Sequence, residues 1–363
     1  MIAIAAAFLL MQATSAPAAT SFGALSRQAA AERDAKRLTD ALAHYREALK
    51  LKPDWAEGYW EAGSIEYDQD RYEQCAADFE RLAALKPDQA TGWTMAGLCR
   101  YHLRDYETAL KSLHQAQRLG FQENTDLARA ARLHMALVLI KLNNFETAIT
   151  ALLELTRIDR KTQEIVVASG IAGLRKPWTP PEVPEADRDR VFKLGDAMAA
   201  VMEQDSKQAL EKFGVVVRDY PNDPNVHFRY GAFLLQQDPD RGIQEIKKAL
   251  ELEPEHIPAL VGLASIYLKR DDPRAAREYA EKAVKLAPGD FATHVTLGRV
   301  LLDADDAAGA ARELETAVRL APASPESHFN LASAYAKLGR KEAAAREREE
   351  FRRLRQLSDP NRP

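Results

Sequence analysis

The sequence predicts an all-α protein, a solenoid of stacked helix-turn-helix units in two blocks. Three observations predict it. A pattern of small and large apolar residues returns every thirty-odd positions, once as Trp93, Ala96, Gly97, Arg100, Ala109, Leu113, Ala116 and again as His294, Leu297, Gly298, Leu301, Ala310, Leu314, Ala317, Pro322. A period of that length marks an array of stacked units rather than one globular core. The chain is rich in Ala, Leu, Glu, Arg and Lys, a mix that favours helix. Prolines punctuate it at the same step: Pro53, Pro87, Pro221, Pro254, Pro288 and Pro322.

Aligned on their small residues, nine units start near Phe22, Ala56, Ala90, Arg129, Arg188, Pro224, Ile257, Phe291 and Pro325. With each start as position one, position eight is always Gly or Ala (Ala29, Gly63, Gly97, Ala136, Gly195, Gly231, Ala264, Gly298, Ala332). Position twenty is equally small: Ala41, Cys75, Ala109, Ala148, Ala209, Gly242, Ala276, Ala310, Ala344. Positions four, seven, eight and eleven share one face of a first helix; twenty, twenty-four and twenty-seven share one face of a second. Small residues at eight and twenty let the two backbones approach, and large ones at twenty-four, such as Tyr45, Phe79, Leu113, Leu152 and Phe213, fill the space beside them. Asp70-Arg71, Asn143-Asn144, Asp271-Asp272 and Gly339-Arg340 are the turns between helices, and the proline at thirty-two ends the second helix. Two extra residues before Ala209 and one fewer before Gly242 are assigned to turns, where length changes are tolerated.

This register resembles the tetratricopeptide repeat family, whose units are helix-turn-helix pairs of 34 residues. The resemblance covers residues 22–357 and implies a right-handed superhelical solenoid of about nine repeats with ligands on the concave face of the first helices. Position four departs from the family's Trp, reading Tyr59, Trp93, Val191, His227, Leu260, His294 and His328.

Where the prolines lapse, the stacking is expected to be interrupted. An extra stretch, Phe121 to Ala128, follows the third unit, and Lys161 to Asp187 follows the fourth. The expected organisation is a signal segment at 1–19, block one at 22–160, a connector at 161–187, block two at 188–357 with its last helix as a cap, and a tail at 358–363. Within the connector, Gln163 to Arg175 reads as one added helix covering the end of block one, and Pro177 to Pro184 as a stiff, extended link. The final helix, Glu342 to Leu357, alternates acid and base as a solvated cap would.

Ile2 to Met11 is a short apolar run followed by small residues, the pattern of a secretory signal without its basic start. It implies an exported, periplasmic or secreted protein; the competing reading is an Ala-rich tail on a cytoplasmic one. Cys75 occupies a position otherwise Ala or Gly, so it reads as a small apolar residue rather than half of a bridge to Cys99. The formal net charge of -4, from 50 basic and 54 acidic residues, gives no footprint for nucleic acid. No apolar run reaches the ~20 residues of a membrane span.

No catalytic, metal or cofactor pattern stands out, and no enzyme activity is expected. His227, His294 and His328 share position four in different repeats, so they read as packing residues rather than one metal site. The family's carboxylate-gripping mode, with Lys at position five, is missing: that position is Ser26, Trp60, Thr94, Leu133, Phe192, Phe228, Val261, Val295 and Phe329. The concave positions are instead apolar and aromatic. Trp60, Tyr67, Leu98, Tyr101 and Leu137 are the candidates for partner binding in block one, and Phe192, Phe228, Arg299 and Phe329 in block two. Ser64, Asp68, His102 and Lys141, then Lys269 and Lys337, lie beside them. The function expected is a scaffold binding a protein or peptide on the concave face. The alternative is a structural or assembly subunit of a cell-envelope export, pilus or secretion complex.

Overall fold

The computed structural model describes residues 21–120, 126–158 and 162–358, all further structural statements being of these. The apolar N-terminal segment, the end of the tail and most of the stretch after the third unit lie outside them. The chain divides into two compact units, Met1–Ala131 and Arg132–Pro363. The first holds α1 (Phe22–Asp34), α2 (Leu38–Leu51), α3 (Ala56–Asp68), α4 (Tyr72–Leu85), α5 (Ala90–His102), α6 (Tyr106–Leu119) and the start of α7 (Asp126–Lys141). The second holds the rest of α7, then α8 (Phe145–Ile158), α9 (Gln163–Gly173), α10 (Arg188–Met202), α11 (Ser206–Asp219), α12 (Pro224–Leu234) and α13 (Pro239–Leu252). It continues with α14 (Ile257–Lys269), α15 (Pro273–Leu286), α16 (Phe291–Asp303), α17 (Ala307–Leu320), α18 (Pro325–Lys337) and α19 (Lys341–Ser358). Among the described residues there is no strand.

Eight of the nine repeat starts coincide with helix starts; the first helix of the fourth repeat, α7, begins earlier, at Asp126 rather than Arg129. The small positions do what their spacing requires. A Cβ on Gly298 would lie 2.5 Å from Leu314 Cγ, and one on Gly97 would lie 2.7 Å from Leu113 Cγ, so position eight is small because position twenty-four leans across it. Ala41, Cys75, Ala109, Ala209, Ala276 and Ala310 at position twenty are fully buried.

The turns inside the repeats share one backbone device. Lys36, Asp70, Arg104, Asn143, Gln204, Asp271, Asp305 and Gly339 take positive φ, between 58° and 72°. The next residue's N–H then reaches back across the turn, as from Arg71 to Glu66 O (2.8 Å), Asp205 to Ala200 O (3.0 Å) and Asp306 to Leu301 O (2.9 Å). This closure satisfies a carbonyl that a helix end would otherwise leave unpaired. Repeat six departs: no residue between α12 and α13 has positive φ, and Asp238 N–H bonds Leu234 O instead (2.7 Å). Both length changes therefore alter helices, not turns alone. The two extra residues of repeat five lengthen α10 to 15 residues, against 13 in α1 or α16, while α12 is shortened to 11.

The added helix is present as α9, set against α8, the last helix of block one, and against α10, the first of block two. It packs along α10 and also touches α8, both in the same compact unit. Gly170 and Gly195 bring the two backbones so close that a Cβ on either would collide with a carbonyl, of Val191 and Val166 respectively. Position eight of repeat five thus faces α9, and Phe213 turns to stack on Tyr230 and Phe233 of α12, each at 5.5 Å. The proline segment is a connector that is not extended throughout. It folds into two short 3-10 turns, Pro180–Glu182 and Glu185–Asp187, with Val183 buried. Burial alone would raise the Glu182 carboxyl; the bonds it accepts from Lys141 Nζ and the Thr179 amide, both 2.8 Å, bring it down to about 2.

Cys75 and Cys99 form a disulfide between α4 and α5, with Cα atoms 6.1 Å apart. The small-residue reading of Cys75 is half of the answer: it fills a buried small position, and that position lies against α5 closely enough to bridge.

Candidate partner-binding interface

The proposed contact residues divide by burial. Leu98 (3 %), Leu137 (5 %) and Phe228 (8 %) belong to the core and have almost no surface to offer a partner. Leu98 packs among Cys75, Phe79 and Met95, and Phe228 lies against His256 (5.2 Å) beneath the Arg229 guanidinium (5.0 Å). Bulky apolar side chains at half-buried repeat positions serve inter-helix packing first.

Tyr67 and Tyr101 remain half-buried, and the structure brings them together through a residue between them. His102, at the end of α5, stacks flat on Tyr72 (4.3 Å, 6°), meets Tyr67 edge-on (5.7 Å) and Tyr101 edge-on (5.4 Å). Tyr101 continues to Tyr106 (6.0 Å). Five rings thus form one aromatic face at the turn end of the second and third repeats. The αL turn residue Asp70 accepts the hydroxyl proton of Tyr72, and burial together with that carboxylate pushes the phenol up to about 12. Burial lowers the His102 pKa, so its ring joins the face uncharged near neutrality; its Nε2 lies 3.3 Å from the Tyr67 hydroxyl. Trp60, two turns back along α3, is half-buried edge-on against Phe79 (5.5 Å).

The second unit offers no single patch from its proposed set. Phe192 is 46 % exposed on α10 and Phe329 is 53 % exposed on α18, where it packs against Phe351 of α19 (5.4 Å). Arg299 is half-buried and reaches Glu326 at 3.5 Å. What the unit has instead is a cavity of about 480 Å³ walled by Ile149, Leu153, Met198, Met202 and Phe233, with Gln204, Gln236 and Gln237 at its edge. One charged group in its wall, Arg229, is held by two bonds to Glu146 (2.7 and 2.9 Å).

The position-four histidines are more than packing. Each directs Nδ1 to a glutamate of its own second helix and Nε2 to the proline carbonyl that precedes its repeat. The distances are 2.7 and 2.8 Å for His227 (Glu245, Pro221), 2.7 and 3.0 Å for His294 (Glu313, Pro288), and 2.6 and 3.0 Å for His328 (Glu347, Pro322). Tyr59 and Trp93 make the same donation to Pro53 (3.3 Å) and Pro87 (3.2 Å). The shared sequence signal was a side chain combining an aromatic ring with a hydrogen-bond donor, six residues after a proline. Among the described residues no group of three His, Cys, Asp or Glu side chains is placed to hold a metal ion, and no helix is long and apolar enough to cross a membrane.

Comparison with known proteins agrees with this architecture. Tetratricopeptide repeat profiles match residues 26–90 and 60–122, and another matches 130–162. The profile of the middle TPR-like domain of cilia and flagella-associated protein 70 matches residues 197–355. Among solved structures the chain is similar to MamA from Desulfovibrio magneticus RS-1 (residues 41 to the end), with 21 % identity, 46 % of this chain and 96 % of that one covered, and a TM-score of 0.41. A double mutant of RS-1 MamA gives 22 % identity, 45 % and 92 % coverage and a TM-score of 0.40. Comparison with curated proteins gave no match. With its repeat register, its paired helices and these profile matches, the chain belongs to the tetratricopeptide repeat family.

Proposed function

We propose that the chain is a non-catalytic scaffold that holds a protein or peptide partner, and that the aromatic face of Tyr67, Tyr72, Tyr101, His102 and Tyr106 is where that partner docks. The contiguity of these five half-exposed rings carries the reading. Aromatic rings held rigid by one another bring large apolar area and a polar edge to an interface at low entropic cost. A repeat fold supplies an extended surface for such anchors. The test is a photo-crosslinking residue in place of Tyr101, with exposed Gln117 on α6 as the control position, in cells making the full chain. Mass spectrometry should find one defined adduct at 101 that disappears with Tyr67→Ala. Equal adducts at both positions, or adducts at 117 alone, overturn the assignment.

We propose further that the protein is exported. Disulfides persist in oxidising compartments, and the buried Cys75–Cys99 bridge joins the apolar N-terminal run in supporting this. Thiol alkylation of the protein taken directly from its cells into denaturant should label neither cysteine; labelling of both refutes it.

A further inference from the structure

A polar contact recurs where one repeat meets the next, between position twenty-five and the following position eleven. Arg100 Nε donates to Glu80 (2.7 Å), Lys247 lies over the Tyr267 ring (5.6 Å), and the Tyr335 hydroxyl donates to Glu315 (2.9 Å). Neither carboxylate in these contacts, Glu80 or Glu315, is buried.

The first joint differs. Arg46 of α2 donates to Glu66 of α3 (2.5 Å) and also to Asp78 of α4 (2.7 Å). Asp78 stands at position twenty-three, where Glu245, Glu313 and Glu347 each meet a histidine of position four. In this repeat position four is Tyr59, whose hydroxyl is given to Pro53 O. Two carboxyl groups therefore share one cation. Both are buried, Glu66 at 2 % and Asp78 at 4 % exposure. They meet at the same guanidinium, and Glu66 Oε2 and Asp78 Oδ2 accept no bond from any donor among the described residues. Other charged groups on these helices have their own partners: His44 of α2 pairs with Glu32, Arg33 of α1 with Asp34 and Glu61, Arg100 of α5 with Glu80 and Asp105, and His102 stacks on Tyr72.

A second unpaired carboxylate in this setting is strongly disfavoured, whereas a carboxylic acid donating to its neighbour satisfies both oxygens. We propose that Glu66 and Asp78 hold one proton between them at neutral pH, and that losing it to solvent as pH rises loosens the packing of α2 against α3 and α4. Burial raises both carboxyls, with Arg46 opposing. Groups raised in the folded state contribute stability that is complete below their unfolded values and is lost as pH rises through the folded value. Each pH unit across that window weakens the joint by up to about tenfold in its opening equilibrium.

The test compares wild type, Glu66→Gln and Asp78→Asn as full chains, by melting and by amide exchange in α2 corrected for intrinsic rate, from about pH 5 to about pH 9. Either amide donates to the remaining carboxylate without a titrating proton, so both variants should lack the wild type's extra loss at high pH. Parallel profiles in all three overturn the proposal. Infrared spectra of the wild type give a reading independent of whether the variants fold: a protonated carboxyl band should persist at neutral pH and vanish at high pH. Its absence at neutral pH is equally decisive against the shared proton.

Discussion

His294→Phe isolates the position-four clamp, because it keeps ring volume while removing both polar contacts. The wild-type ring meets Glu313 Oε2 at 2.7 Å and Pro288 O at 3.0 Å and is itself 6 % exposed. A hydrogen bond to a charged group contributes about 1.5–3 kcal/mol and one to a carbonyl about 0.5–1.5. Glu313 keeps 26 % of its side-chain surface and rehydrates in part, which favours the lower half of the first range. The loss should be about 2–3 kcal/mol, seen as a fall of roughly 5–10 °C in the melting of the second unit. His294→Tyr is the internal control. Tyr59 shows that a phenol at this position reaches the preceding proline carbonyl, so this variant should recover about 1 kcal/mol. Urea unfolding followed by circular dichroism measures both. If His294→Phe costs less than about 0.5 kcal/mol, or Tyr is no better than Phe, the clamp is packing alone.

Three further outcomes are expected. Ala310→Leu, at a fully buried small position, should cost about 1–3 kcal/mol through overpacking against α16, and an unchanged melting curve would mean that the register is misplaced. Cys75→Ser should destabilise the first unit by about 3 kcal/mol, since the bridge closes a loop of sequence separation 24; equal denaturation midpoints with and without reductant would contradict it. His227 is raised by its bond to Glu245, so its contribution is full below the unfolded value near 6.5 and lost as pH rises through the folded one. His227→Phe should remove that decline from the pH profile of melting, and an unaltered slope counts against it.

The repeat register was legible because it is written locally. A small residue at position eight and again about twelve residues later encodes a close approach that most repeats make within themselves. Helix starts followed from the same pattern. Less legible was anything depending on which helix lies next. Gly195 obeys the position-eight rule, yet its partner is α9, an element outside the period. Leu98, Leu137 and Phe228 occupy positions that face outward in an ideal repeat, but neighbouring helices cover them here. Tyr67 and Tyr101 were recognisable as aromatics; that His102 joins them depends on the stacking of two repeats. The cysteine pair was visible as two residues and invisible as a bond, because proximity across α4 and α5 is a tertiary fact. The histidines were placed correctly in the repeat and under-read in chemistry, since their glutamate partners lie on the opposite helix.

The left-handed turns have a practical consequence. Lys36, Arg104 and Gln204 hold φ of 59°, 61° and 61°, a region where a side chain is strained and glycine is not. All three are exposed. Replacing each by glycine relieves that strain and surrenders part of the gain to a more flexible unfolded chain, for a net of about 0.5–1 kcal/mol per turn. The same backbone could therefore be made appreciably more heat-resistant by editing only its corners, with the aromatic face and every helix contact left as they are.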